Sequence, residues 1–147
     1  MQYALAIDIG GTKATVASID GAFKVIERRE ISTGSAQGLD RILIDACSEV
    51  VAATAGELIG VGIGSAGPLN LSKGTISPVN IPSWRGFEIV QLLKQTTGCD
   101  NVVLHGDGMA VADAEHQLGA GRGSRNMLGM VVSTGVGGGL VLNGNLV

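Results

Sequence analysis

Asp8-Ile9-Gly10-Gly11-Thr12-Lys13 joins an apolar run, Tyr3–Asp8, to an alternating one, Lys13–Ile19 (KATVASI). The first run reads as a buried strand and the second as a half-buried strand. Asp20-Gly21 closes the second with a hairpin signal. Lys24–Ser32 (KVIERREIS) is a third strand, and its charges place it nearer a sheet edge. Three antiparallel strands therefore open the chain. At the joint, Gly10 and Gly11 let backbone N–H groups face an anion with no Cβ in the way. Thr12 adds a hydroxyl donor, and Asp8, at the strand end, is placed to hold a hydrated Mg²⁺ beside phosphates. Taken alone, the same residues read equally well as a Gly-Gly hairpin turn.

Downstream, Leu39, Ile42, Leu43, Ala46, Val50 and Ala53 recur at helical steps within Gln37–Ala55, predicting an amphipathic helix. Leu58–Ser65 (LIGVGIGS) reads as a fourth strand. Its glycines at 60, 62 and 64 leave one face bare, so a neighbour is expected to pack close there. Gly67–Gly86 holds all three prolines and the single Trp and reads as a long functional loop region. A second helix is expected over Phe87–Thr97 with a stop at Gly98. A fifth strand follows over Asn101–Leu104 and an Ala-rich helix over Gly108–Leu118. GAGRGSRN (119–126) is a polar link. Met127–Ser133 and Gly139–Leu142 then flank a glycine loop, Thr134–Gly138. The order of elements is that of an α/β fold.

Composition narrows the function classes. The 147 residues are 45% hydrophobic, 16% charged and 3% aromatic, with net charge −3. A folded domain is expected, with no basic footprint for nucleic acid and few rings for base stacking. Glycine numbers 24 residues, roughly twice the usual share, and clusters at turns. Cys47 and Cys99 are far apart and lack metal-ligand spacing, so they read as small buried hydrophobes in a reducing cytoplasm. The N-terminus has no basic segment before its short apolar run and is not read as a signal peptide, and no membrane span is expected.

Two further stretches carry chemistry. Ser133-Thr134-Gly135-Val136-Gly137-Gly138-Gly139 repeats the pattern of a hydroxyl followed by glycines between apolar runs. Alone it also reads as a hairpin. With the first glycine turn it could clamp a triphosphate from two sides. Asp107 follows the fifth strand and precedes a helix, the strand end at which open α/β sheets bind ligands. It is a candidate general base on a substrate hydroxyl, and equally a helix cap.

DIGGTK, GVGIGSAGP, HGDG and STGVGGG occur in the order and approximate spacing of the ROK family (repressors, open reading frames and kinases), which the whole chain resembles. That family belongs to the sugar kinase/actin/Hsp70 superfamily. The resemblance implies a ribonuclease H-like, actin-type ATPase lobe with a mixed sheet and flanking helices. It implies phosphorylation of a sugar hydroxyl with ATP and Mg²⁺, in glucokinase-like or N-acetylhexosamine kinase-like fashion. On this resemblance Asp8, Gly10, Gly11, Thr12 and Lys13 match the first phosphate motif, with Asp8 on Mg²⁺ through water. Thr134, Gly135, Gly137 and Gly138 match the second. Asp107 matches the catalytic base. Gly67, Asn80, Gly106 and Asp107 fall at the sugar site.

Two departures accompany the match. The family carries Asn directly before the catalytic Asp, where this chain has Gly106. Relatives also run about twice as far, adding a zinc segment and an adenosine pocket, so no zinc site is expected within this chain. Residues 1–122 then form an N-terminal kinase lobe and 123–147 the opening strands of a second. The isolated chain is expected to be inactive, with residues 127–147 either pairing with another chain or displaced from their usual place, and a homodimer is expected. The alternative is a sugar-binding ROK regulatory protein without catalysis. The first strand begins at residue 3, so the DNA-binding domain of a ROK repressor is not expected ahead of it.

Overall fold

The structure, a computed structural model, describes residues 1–34, 37–132 and 136–147. These form two compact units, Met1–Leu104 and His105–Val147.

In the first unit, β1 (Gln2–Ile9) pairs antiparallel with β2 (Lys13–Asp20), and β2 antiparallel with β3 (Val25–Ser32). The chain then crosses over through α1 (Leu39–Ala53) and returns as β4 (Glu57–Ser65), which lies parallel to β1 on its other side. With β7 (Val102–Gly106) the sheet order is β3-β2-β1-β4-β7. The charged third strand is thus an edge. Its Glu27, Arg28, Arg29 and Glu30 form exposed ion pairs that discourage further strand pairing.

Alternation along β1 decides which face is buried. Tyr3, Leu5, Ile7 and Ile9 point into the core, while Asp8 is exposed. Leu39, Leu43, Ala46, Cys47 and Val50 make the buried stripe of α1, and Ile89 and Leu93 that of α2 (Ile89–Thr97). These side chains, with Val16, Val61 and Ile63 from the sheet, form one core. Burial of each large aliphatic side chain contributes on the order of 2 kcal/mol. The opposite face is sparse, and its glycines meet different fates. A Cβ on Gly60 would crowd the Asn101 amide at 2.9 Å, whereas Gly62 faces open space. Gly60 therefore has the close neighbour its spacing suggested, and Gly62 does not.

The long segment after β4 is built rather than loose. Two-residue strands β5 (Leu69–Asn70) and β6 (Thr75–Ile76) pair antiparallel, and a 3-10 turn spans Pro82–Trp84. Ile76, Ile81 and Trp84 enter the core, and Trp84 stacks on Phe87 with centroids 4.4 Å apart. Such short strands are too brief to show alternation. Phe87 is not helical as the spacing suggested. Its N–H and C=O are both bonded to Ile76, which delays α2 to Ile89.

In the second unit, α3 (Asp107–Leu118) packs on β8 (Met127–Val132) and β9 (Val136–Leu142), with β10 (Asn145–Leu146) beyond. The glycine run is partly strand. Gly137 pairs with Val131 and Gly138 with Met130. A glycine run shows no side-chain alternation, so the sequence pattern left these residues in the loop. Among the described residues, no helix is long and apolar enough to cross a membrane.

Candidate functional site

Hydrogen bonds hold the first glycine turn at Gly10 and at Thr12. Gly10 N–H donates to the Lys13 carbonyl at 2.9 Å. Thr33, the residue after β3, donates its N–H to the Thr12 carbonyl at 3.0 Å and its hydroxyl to the Gly10 carbonyl at 3.3 Å. Among the described residues, the N–H groups of Gly11 and Thr12 have no hydrogen-bond partner. They are candidate donors to a ligand, and the exposed Asp8 carboxylate stands at the end of the same β1 strand. Donors beside a strand-end carboxylate suit a phosphate with its divalent ion. Lys13 is directed elsewhere, since its ammonium pairs with Glu30 at 3.1 Å.

Asn80 reaches this turn. A Cβ on Gly11 would come within 3.2 Å of Asn80 Cγ, so glycine is what lets the amide lie there. Gly67 occupies a left-handed conformation (φ 86°), and a Cβ on it would stand 2.8 Å from Pro78 Cα. Gly67 therefore lets the two limbs of the Pro-rich segment close, and with them the stretch that carries Asn80. The first unit thus joins one phosphate candidate and one sugar candidate in direct contact.

In the second unit Asp107 is the first residue of α3, and Gly106 holds the cap position with extended backbone. The carboxylate is exposed and accepts the Gly108 N–H at 2.7 Å, which fixes its rotamer. Asp107 is thus not the N-cap residue, yet its carboxylate satisfies one N–H of the first helical turn, so the capping and base readings of its position are compatible. The glycines of β9 explain the helix placement. A Cβ on Gly108 would lie 2.5 Å from the Gly138 nitrogen and 2.9 Å from the Gly137 carbonyl carbon. Likewise, a Cβ on Gly139 would lie 2.8 Å from Ala112 Cβ. The start of α3, with Asp107, thereby sits directly on the Gly137–Gly138 segment. Thr134 and Gly135 lie outside the described residues.

Thr33 was not among the residues the sequence singled out. Its signal was available in the register, since Lys13 opposite Ser32 puts Thr33 opposite Thr12.

A mixed sheet of order β3-β2-β1-β4-β7, with a glycine turn between its first two strands, defines an ATPase lobe of the actin-like fold. The chain belongs to the ROK family, which it matches over residues 4–147. It is 33% identical to a glucokinase of Halalkalibacterium halodurans over 95% of this chain and 44% of that protein. It is 36% identical to an N-acetylmannosamine kinase of Escherichia coli O9:H4 over 97% of this chain and 48% of that one. Among solved structures, it resembles a ROK hexokinase from Thermus thermophilus with a TM-score of 0.86, 34% identity, and coverage of 99% of this chain and 48% of the other. A ROK family glucokinase from Streptomyces griseus, in complex with glucose and AMPPNP, gives a TM-score of 0.82 at 26% identity, covering 98% and 46%. The chain spans about half the length of the curated relatives it matches.

Proposed function

We propose that the full-length gene product transfers a phosphoryl group from ATP to a hydroxyl of a hexose or N-acetylhexosamine, and that this chain supplies its base and its phosphate turns. The observation that carries the reading is the contact of Asn80 with Gly11, which joins a candidate sugar ligand to a turn whose Gly11 and Thr12 N–H groups have no partner among the described residues. Its support in kind comes from relatives named glucokinase and N-acetylmannosamine kinase.

In this mechanism the N–H groups of Gly11 and Thr12 hold phosphate oxygens, and Thr134, Gly135, Gly137 and Gly138 serve as the second phosphate motif. Asp8 would hold Mg²⁺ through water, and the ion, when bound, neutralises charge on the transferring phosphate. Asn80, Gly67 and Gly106 border the sugar. Asp107 accepts the proton of the attacking hydroxyl, a role worth about 10²–10⁴ in rate. Its rotamer is fixed in advance by the Gly108 N–H, so little reorganisation is required. Residues 1–122 serve as the kinase lobe and 123–147 as the opening of the second lobe. The setting is cytoplasmic, and the copies associate as a homodimer.

Gly106 favours a second reading, sugar binding without turnover. A side chain there could hydrogen-bond the sugar, and glycine supplies none. ADP release coupled to sugar, measured on the full-length gene product, separates the two. Sugar-dependent turnover supports the kinase, and tight sugar binding without turnover supports the regulator.

A further inference from the structure

We propose that Thr33 is a positioning residue for the phosphate turn, setting the direction in which its backbone donors point. The inference rests on the reading of Gly10–Thr12 as a phosphate site.

Thr33 is 3% exposed, so its hydroxyl is removed from bulk water. It reaches the turn twice, through its N–H to the Thr12 carbonyl at 3.0 Å and its hydroxyl to the Gly10 carbonyl at 3.3 Å. A trans peptide is planar, with its C=O and N–H opposed. Holding the Gly10 carbonyl toward Thr33 therefore turns the Gly11 N–H away from Thr33. That N–H is one of the donors with no partner among the described residues. Gly10 and Gly11 have no Cβ and would otherwise sample many backbone states. A hydrogen bond to the Gly10 carbonyl removes that freedom before a ligand arrives, and such preorganisation lowers the cost of binding. The backbone bond to Thr12 survives any substitution short of proline. The hydroxyl bond is the part the side chain controls.

The test uses Thr33→Val, which keeps the shape and removes the hydroxyl, and Thr33→Ser, which restores it. AMPPNP with magnesium, and separately glucose and N-acetylmannosamine, are titrated by calorimetry into the full-length gene product. The Val variant should bind AMPPNP about 3- to 10-fold more weakly, the worth of one neutral hydrogen bond. Sugar affinity should be unchanged, and the Ser variant should bind AMPPNP as the wild type does. Undiminished AMPPNP binding by the Val variant overturns the proposal. So does equal weakening of nucleotide and sugar with a lowered Tm, which marks Thr33 as merely structural. Failure of the wild type itself to bind AMPPNP overturns the phosphate reading and, with it, this inference.

Discussion

Gly11 lies against Asn80, close enough that a Cβ on Gly11 would sit 3.2 Å from Asn80 Cγ and 3.3 Å from its Cβ. The two residues are far apart in sequence, and each belongs to a different candidate subsite. Gly11 does not occupy a left-handed conformation, so alanine is compatible with its backbone. The obstacle is the end of the Asn80 side chain, which can swing aside.

Gly11→Ala should therefore leave Tm nearly unchanged while displacing the Asn80 amide. In steady-state kinetics of the full-length gene product, the sugar KM should rise about 5-fold, as for loss of one hydrogen bond. An unchanged sugar KM would separate Asn80 from the sugar site.

Gly108→Ala sets two effects against each other. Alanine favours the helix over glycine by up to about 1 kcal/mol. The new Cβ would meet the backbone of Gly137 and Gly138, which has no flexible end to move. Overpacking of this kind costs about 1–3 kcal/mol, so the clash should win. Thermal unfolding should show a lowered Tm for the variant, and a raised Tm would refute the close packing of α3 on β9.

Burial pushes the Cys47 thiol from an ordinary 9.0 up to about 12, while Cys99 is only half-buried. In the native protein, a thiol reagent at pH 8 should label Cys99 quickly and Cys47 only on unfolding. The sign for stability follows. Between pH 9 and about 12 the unfolded thiol ionises while the folded one keeps its proton, so stability present below pH 9 is lost as pH rises through that window. Equal labelling of both thiols in the native state would contradict the burial.

One face of the β8–β9 hairpin leaves Leu128, Met130, Val132, Val136, Leu140 and Leu142 exposed. An apolar surface of this kind tends to find a partner. The 147-residue chain should self-associate in light scattering, and Leu128→Lys with Met130→Lys should shift it toward monomer. A clean monomer of the unaltered chain would count against the homodimer.

Much of the first unit was legible because its strands alternate. Tyr3, Leu5, Ile7 and Ile9 mark the buried face of β1, and the charges of Glu27–Glu30 mark β3 as an edge. What stayed hidden depends on glycine or on distance. Gly137 and Gly138 have no side chains to alternate, so their strand pairing with Val131 and Met130 left no pattern. Phe87 looked helical because its apolar spacing fits, yet a backbone pairing with Ile76 holds it extended. The Asn80–Gly11 contact and the Thr33 hydrogen bonds are tertiary, and no local periodicity encodes them. Asp107 was legible as a candidate from its place between a strand and a helix, but not its bond to the Gly108 N–H.

Asp107 is the proposed base in sugar phosphorylation. Its direct test is ADP release by the full-length gene product with ATP, magnesium and either glucose or N-acetylmannosamine, comparing the wild type with Asp107→Asn. The variant should fold with unchanged Tm and lose about 10²–10⁴ in kcat. Turnover in the variant equal to that of the wild type, or sugar binding by a wild type that releases no ADP, would contradict it.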